Sequence, residues 1–539
     1  MIKTTLTVFL ALCIHLEIFA QTAVWQWSVP VKTIISNETK DHPQAFLWVP
    51  ENCKHIKGVV FGQHNMLEEG ILESPAFRKK MTKLGFAEIW VSPAIDMVFD
   101  FNKDAGKVFN DIMKTLAESS GYDELNFAPI VPIGHSAAAS FPWNFAAWNP
   151  DRTLAIISVK GDAPQTNLTG SGRPNPDWGK RNFDGVPGMM VMGEYEWWED
   201  RLAPGFKYLT KHPNTPITWY ADAGHSHFDY SDELVDYLAS YIEKAAAYRL
   251  PKKYPRYGKV GLKPIDLKDG WLMDRWRNDQ LLTAEAAPFN EYKGDRSVSS
   301  WCFDKDMVNQ TIKRYDAQRG KQKQFIGFKQ NGEWLKPQKT HANFHLKFSP
   351  EEDGITFHIE SVFTDSSRIH ISADHGKNKL ALNRICGPVK KLNDTTFRVD
   401  FQGIGFSPRR STEIWLLASS SADKKHKAVE QQAVLNFPLF NKEGRVQKIT
   451  FPEIANQNVK AKSVLLTAVS DAGLPVHYYV KEGPAILDRN KIVFTKIPPK
   501  AKFPVKVTVV AWQYGTTIGS KTQSAEPVER SFYLEKKIK

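Results

Sequence analysis

Ile133-Gly134-His135-Ser136-Ala137-Ala138 decides how this chain is read. The six residues follow an apolar run, Pro129 to Ile133, and open an Ala-rich stretch with helical character. A sharp turn from strand into helix lifts a hydroxyl above the C-terminal edge of a sheet, and the crowded turn needs small neighbours. Gly134, Ala137 and Ala138 are small; Ala138 stands where a second glycine is usual. The plainer reading of Ser136 is a helix N-cap. Pro142 removes one helical hydrogen bond and is expected to kink or shorten the helix that follows.

Working outward, strand-like runs alternate with helical patterns from about 24 to 250. Gln44–Val49, Gly58–Phe61, Ala87–Val91, Leu154–Val159, Gly188–Met192 and Ile217–Tyr220 read as strands. Pro75–Leu84, Ala105–Ser119 and Ser231–Ala247 read as helices, the last capped by Ser231. Such alternation predicts an α/β fold, a mostly parallel sheet with helices on both faces. After Leu250 the texture changes. Pro251, Pro255 and Pro264 suggest an extended linker, and 251–340 reads as a basic connecting region. Period-2 runs then predict all-β sandwich units over 341–442 and 443–539.

A serine nucleophile needs a base, and the base needs an orienting acid. On this kind of sheet they follow in the order Ser, acid, His. Glu196, just past the run Met189–Gly193, is the expected acid, with Asp162, after Leu154–Val159, as the alternative. The loop Ala223-Gly224-His225-Ser226-His227-Phe228 offers two bases. His227 is preferred because Phe228 can anchor it; His225 stays open. Backbone N–H groups of Ala137 and of Asn65 or Met66 are the expected oxyanion donors. His64, Glu194, Trp197 and Trp198 are candidate substrate contacts, while Trp143 and Trp148, near helical spacing, read mainly as core.

These residues resemble the α/β-hydrolase superfamily, especially compact serine esterases similar to dienelactone hydrolase and carbohydrate esterases. The resemblance covers about 24–250. It implies Ser136 as nucleophile, Glu196 in a Gly-Glu-x-acid pattern where Asp is commoner, and His227 in a His-Phe-Asp-x-Ser-Asp pattern; His225 fits the equally familiar Ala-Gly-His. The stretch 443–534, with Gly473-Leu474-Pro475-Val476 and the closing Ala525 to Phe532, resembles bacterial immunoglobulin-like domains, which usually act as spacers.

Composition bounds the rest. The chain has 539 residues, 42% hydrophobic and 24% charged, which excludes a fully disordered protein. Residues 1–20 read as a cleaved signal peptide, so the expected location is secreted or periplasmic. No later run is long enough for a membrane span. Past the signal peptide remain Cys53, Cys302 and Cys386, an odd number that leaves at least one free thiol. No metal motif, phosphate loop or nucleic-acid signature occurs, so no metal, cofactor or nucleic acid is expected. Residues 251–350 carry 20 Lys+Arg against 11 Asp+Glu, a net +9. A solvated surface explains that excess; an anionic polysaccharide partner is the sharper reading. The expected activity is a serine hydrolase cleaving an ester, with a small ester or an acylated carbohydrate as substrate. A peptidase on the same fold, or an inactive glycan-binding scaffold, are the alternatives.

Overall fold

The computed structural model describes residues 24–536 except 171, 172, 197, 256, 278 and 404. The expected signal peptide and Trp197 lie outside the described residues. The first half builds one eight-stranded sheet from β1 (Trp27–Pro30), β2 (Gln44–Trp48), β3 (Gly58–Gln63), β4 (Phe86–Ser92), β5 (Ile130–His135), β6 (Ile156–Val159), β7 (Gly188–Gly193) and β8 (Ile217–Asp222). Their spatial order is β1-β2-β4-β3-β5-β6-β7-β8. From β4 to β8 all neighbours are parallel, while β2 runs antiparallel to both β1 and β4.

The parallel strands are buried along their whole length, which is why they read as apolar runs rather than alternating ones. Their side chains still alternate between two cores. Val60, Trp90 and Val131 join one cluster, with α2 (Pro75–Leu84) and α6 (Asp232–Arg249). Val59, Phe61, Ile89 and Ile130 join the other, with α3 (Ala105–Ser120). The helix after β5 starts later than its composition suggests. Residues Ser136–Ala138 form a single 3-10 turn, and the α-helix runs only over Phe141–Trp148. Pro142 therefore falls in the first helical turn, where no N–H is needed.

The stretch expected as a connecting region carries structure of its own. Ser300–Cys302 and Trp271–Met273 pair as strands, and Lys305–Asp316 is a helix. Leu272, Met273, Trp276, Trp301 and Phe303 are buried in the core that covers α6. Thr218 Oγ1 of β8 donates to the Trp301 carbonyl at 2.6 Å, which ties this segment to the sheet edge. Two β units follow. One, within 325–437, has a four-stranded and two three-stranded sheets around an apolar core that Tyr479, Val510, Trp512 and Tyr514 of the last unit also join. The other spans the strands from Ile449 to Glu535 and shares a core with α3, where Val505, Val507 and Phe532 join Leu116 and Tyr122. The three described cysteines are buried and unpaired. Among the described residues no helix is long and apolar enough to cross a membrane.

Candidate active site

Ser136 sits on the turn after β5 with φ +51°, a left-handed conformation that costs a non-glycine residue on the order of 1 kcal/mol. Gly134 makes the turn possible, because a Cβ there would lie 2.1 Å from the Ala138 carbonyl oxygen. The Ser136 hydroxyl lies 2.8 Å from His227 Nε2, and His227 Nδ1 lies 2.8 Å from Glu196 Oε2. The tautomer that satisfies both contacts has Nδ1–H donating to the carboxylate and Nε2 accepting from the serine. Glu196 also accepts from the Gly193 N–H at 3.0 Å, which closes the turn after β7. The loops carrying Glu196 and His227 are pressed together: a Cβ on Gly193 would lie 2.6 Å from the Ser226 carbonyl oxygen.

Electrostatics keep the acid ionised. Burial opposes the charge on Glu196, but the His227 hydrogen bond and charge, then Lys160 and Arg201, outweigh it and hold the carboxyl below its ordinary value. His135, fully buried, points its Nε2 at the His227 carbonyl oxygen, 3.0 Å away. Burial, then the charge of His227, hold His135 well below the usual imidazole range, so it braces the base loop as a neutral group.

The other expected site residues fall elsewhere. Asp162 has no histidine partner; its Oδ2 accepts from the Thr169 N–H at 3.1 Å, and the Thr169 hydroxyl lies 2.8 Å from the Ser136 carbonyl oxygen. His225 belongs to a second network, with Nδ1 2.6 Å from Asp229 and 3.6 Å from Glu430. Glu194 does not face the cavity. It is buried, accepts from the Gly224 N–H at 2.7 Å and pairs with the fully buried Lys427. Trp198 is core, its indole N–H donating to the Trp276 carbonyl at 2.8 Å. His64 is also buried, bonded to the Ser92 hydroxyl at 2.7 Å and packed against Trp90. These three are corrections to the substrate wall. Each looked exposed in sequence because its buried partner lies far along the chain or on another strand.

The oxyanion donors need a similar correction. The N–H groups of Asn65 and Met66 both donate to Glu68 Oε2, at 3.1 and 3.0 Å, and the His135 N–H donates to its Oε1 at 2.6 Å. Glu68 is the first residue of the short helix Glu68–Glu73, and its carboxylate takes two N–H groups of the loop just before that helix and one from the end of β5. Burial pushes this carboxyl up to about 7 against those three bonds. Among the described residues, the Ala137 N–H, next to Ser136, has no such carboxylate acceptor. Glu68→Gln, with one oxygen to serve three N–H groups and an NH2 facing the rest, is expected to lose at least about 1–3 kcal/mol. The urea unfolding midpoint measures it.

Sequence reasoning missed the contribution of the 325–437 unit. Ser136, Glu196 and His227 open into a cavity of about 520 Å³. Its far wall comes from Lys323, Phe325, His341, Asn343, Arg368 and Gln431. The His341 ring lies 6.0 Å from that of His227. The Ser226 N–H donates to Glu430, and Lys427 holds Glu194, so neighbouring residues of one β segment grip both the base loop and the acid loop. No local pattern near Ser136 points to residues so distant in sequence.

Asp222, His225 and Asp229 offer ligand atoms within 4.8 Å of one another, a spacing a metal could use. The Lys160 ammonium lies 2.5 Å from Asp222 and supplies positive charge at that place.

Strand order, the elbow and the Ser-His-Glu hydrogen-bond chain together define an α/β-hydrolase fold over the first half of the chain. No family model and no curated protein matches the chain. Solved structures overlap its first half. The serine hydrolase FphF of Staphylococcus aureus is 12% identical, covering 41% of this chain and 97% of its own, at TM-score 0.28. A dienelactone hydrolase from Anabaena variabilis is 14% identical, covering 41% and 96%, at 0.27. An esterase from Pyrobaculum calidifontis is 16% identical, covering 42% and 88%, at 0.28. Overlaps this partial do not bear on activity; the fold class rests on the strand order itself.

Proposed function

We propose that the protein is an exported serine hydrolase that cleaves an ester on a carbohydrate through an acyl-enzyme. The observation that carries this reading is the chain Ser136–His227–Glu196, closed by two contacts of 2.8 Å beside an open cavity. Ser136 Oγ attacks the ester carbonyl as its proton passes to His227 Nε2. Glu196 stabilises the imidazolium, and the Ala137 N–H faces the developing oxyanion. The C–O bond to the alcohol breaks, and His227 returns the proton to that oxygen. Water then attacks the acyl-serine by the reverse route, releasing the acid and restoring Ser136. An oxyanion that drew also on the Asn65 or Met66 N–H would compete with Glu68.

Tyr195, Phe325 and the amides of Asn343 and Gln431 suit a ring with many hydroxyls, since aromatic faces and amides line the same cavity. The immunoglobulin-like reading of the last unit fits a packing partner on the α3 side, away from the cavity. A fluorophosphonate probe separates the reading from its inactive-scaffold rival: covalent labelling at Ser136 is expected, and none would sink it. Parallel rates on aryl esters and chromogenic peptides separate esterase from peptidase. Glu196→Gln is expected to lower kcat by about 10³ to 10⁴, because the imidazolium loses its counter-charge while the site keeps its shape.

A further inference from the structure

Two cations that line the cavity, the half-buried Arg368 and the exposed Lys323, have no carboxylate partner among the described residues. Arg368 and Lys323 both line the space that Ser136 opens into. Neither has a carboxylate within 4.0 Å among the described residues; Lys323 Nζ instead lies 5.3 Å from the centre of the Tyr195 ring. The two carboxylates that reach the cavity are already engaged, Glu196 by His227 and Glu430 by the Ser226 N–H and His225. Arg201, the third cation there, lies 3.7 Å from Glu196. The cavity lining is therefore net positive.

Arg368 is also held in place at a cost. Its φ is +63°, in the left-handed region. Asn343, on the same wall, has φ +61°, and Ser136 has φ +51°. Two strained residues, Ser136 and Arg368, thus border one cavity, with Asn343 in a left-handed turn that asparagine adopts readily. Burial alone pulls the Arg368 guanidinium below its ordinary pKa, with no opposing carboxylate. A half-buried guanidinium without a counter-ion is paying desolvation that a bound anion would offset. Guanidinium is also the group best shaped to take a carboxylate or sulfate with two parallel hydrogen bonds.

We infer that the cavity takes an O-acylated acidic sugar, its anionic group held by Arg368 and Lys323 while its ester carbonyl meets Ser136. This rests on the hydrolase reading above and adds the charge of the substrate to it. The basic wall selects the sugar; the Ser-His-Glu chain performs the cleavage.

The test compares mono-O-acetylated methyl glucuronosides with the corresponding glucosides, which differ in charge at C6. A third arm, the 6-sulfated glucosides, distinguishes a carboxylate from a sulfate. At low salt the wild-type kcat/KM is expected to favour an anionic arm by at least about tenfold, the worth of one charge-assisted hydrogen bond. In Arg368→Gln/Lys323→Gln that ratio is expected to fall to near one, with the thermal midpoint reporting that the variant is folded. Equal wild-type rates on charged and neutral arms would overturn the inference without any variant. A preference that survives in the folded double variant would overturn it too. Turnover of all arms without preference leaves Ser136 as nucleophile and removes only the anion site. Absence of both turnover and fluorophosphonate labelling overturns both readings.

Discussion

Ser136→Ala is expected to lower kcat on any accepted ester by about 10⁵ to 10⁶, the scale on which loss of a serine nucleophile acts. The change removes one hydroxyl whose partner is His227 Nε2. It also leaves intact the bonds that hold the turn, from the Thr169 hydroxyl and the Ala139 N–H to the Ser136 carbonyl oxygen, both 2.8 Å. The unfolding midpoint is therefore expected to stay near that of the wild type. Alanine adopts φ +51° no more readily than serine, so any shift is small. Residual activity within tenfold of wild type would move the nucleophile elsewhere. The measurement is a progress curve at saturating aryl ester, with active-site titration to exclude wild-type contamination.

Much of the first half was legible because a parallel sheet buries each strand on both faces. The runs Gly58–Phe61, Pro129–Ile133, Gly188–Met192 and Ile217–Tyr220 are apolar for that reason, and the helices between them keep a clean periodicity. The elbow was legible because its geometry demands small residues beside the serine. The positions of Glu196 and His227 follow from the same topology, since parallel strands bring the loops after β5, β7 and β8 to one edge. What was not legible depends on partners far away in the chain. Glu194 looked like a wall residue because Lys427, which neutralises it, lies 233 residues on. Trp198 looked exposed because the Trp276 carbonyl that takes its N–H belongs to the segment read as a linker. Part of the basic surplus of that segment is answered by acids outside it: Arg275 meets Glu199 at 2.6 Å, and Lys259 meets Asp151 at 2.6 Å. Lys323 and Arg368 gain meaning only once the β unit is folded over the sheet edge.

His227→Ala and His225→Ala are expected to fail in different ways. Two residues apart on one loop, the histidines face different partners. His227 joins Ser136 to Glu196, so its loss removes the proton acceptor, and kcat is expected to fall by about 10⁵ to 10⁶ with folding intact. His225 lies against Asp229 and Glu430, with Asp222 and Lys160 close by. Burial opposes its charge, but Asp222, Asp229 and Glu430 outweigh that and hold its pKa well above the ordinary value, so it is an imidazolium at neutral pH. A group raised in the folded state stabilises fully below its unfolded pKa and loses that contribution as pH climbs through the folded one. The stabilisation by His225 thus persists across neutral pH and fades only in the alkaline range. His225→Ala leaves Asp229 and Glu430 facing each other without it, and breaking a buried pair costs about 3–5 kcal/mol. Because Glu430 also takes the Ser226 N–H, part of that strain reaches His227 through one peptide. The expected result is a lowered unfolding midpoint near neutral pH, a gap from wild type that narrows in alkali, and turnover reduced but measurable. Complete loss of turnover in a folded His225→Ala protein, with activity kept in His227→Ala, would hand the base role to His225 and leave Ser136 and Glu196 to be paired anew.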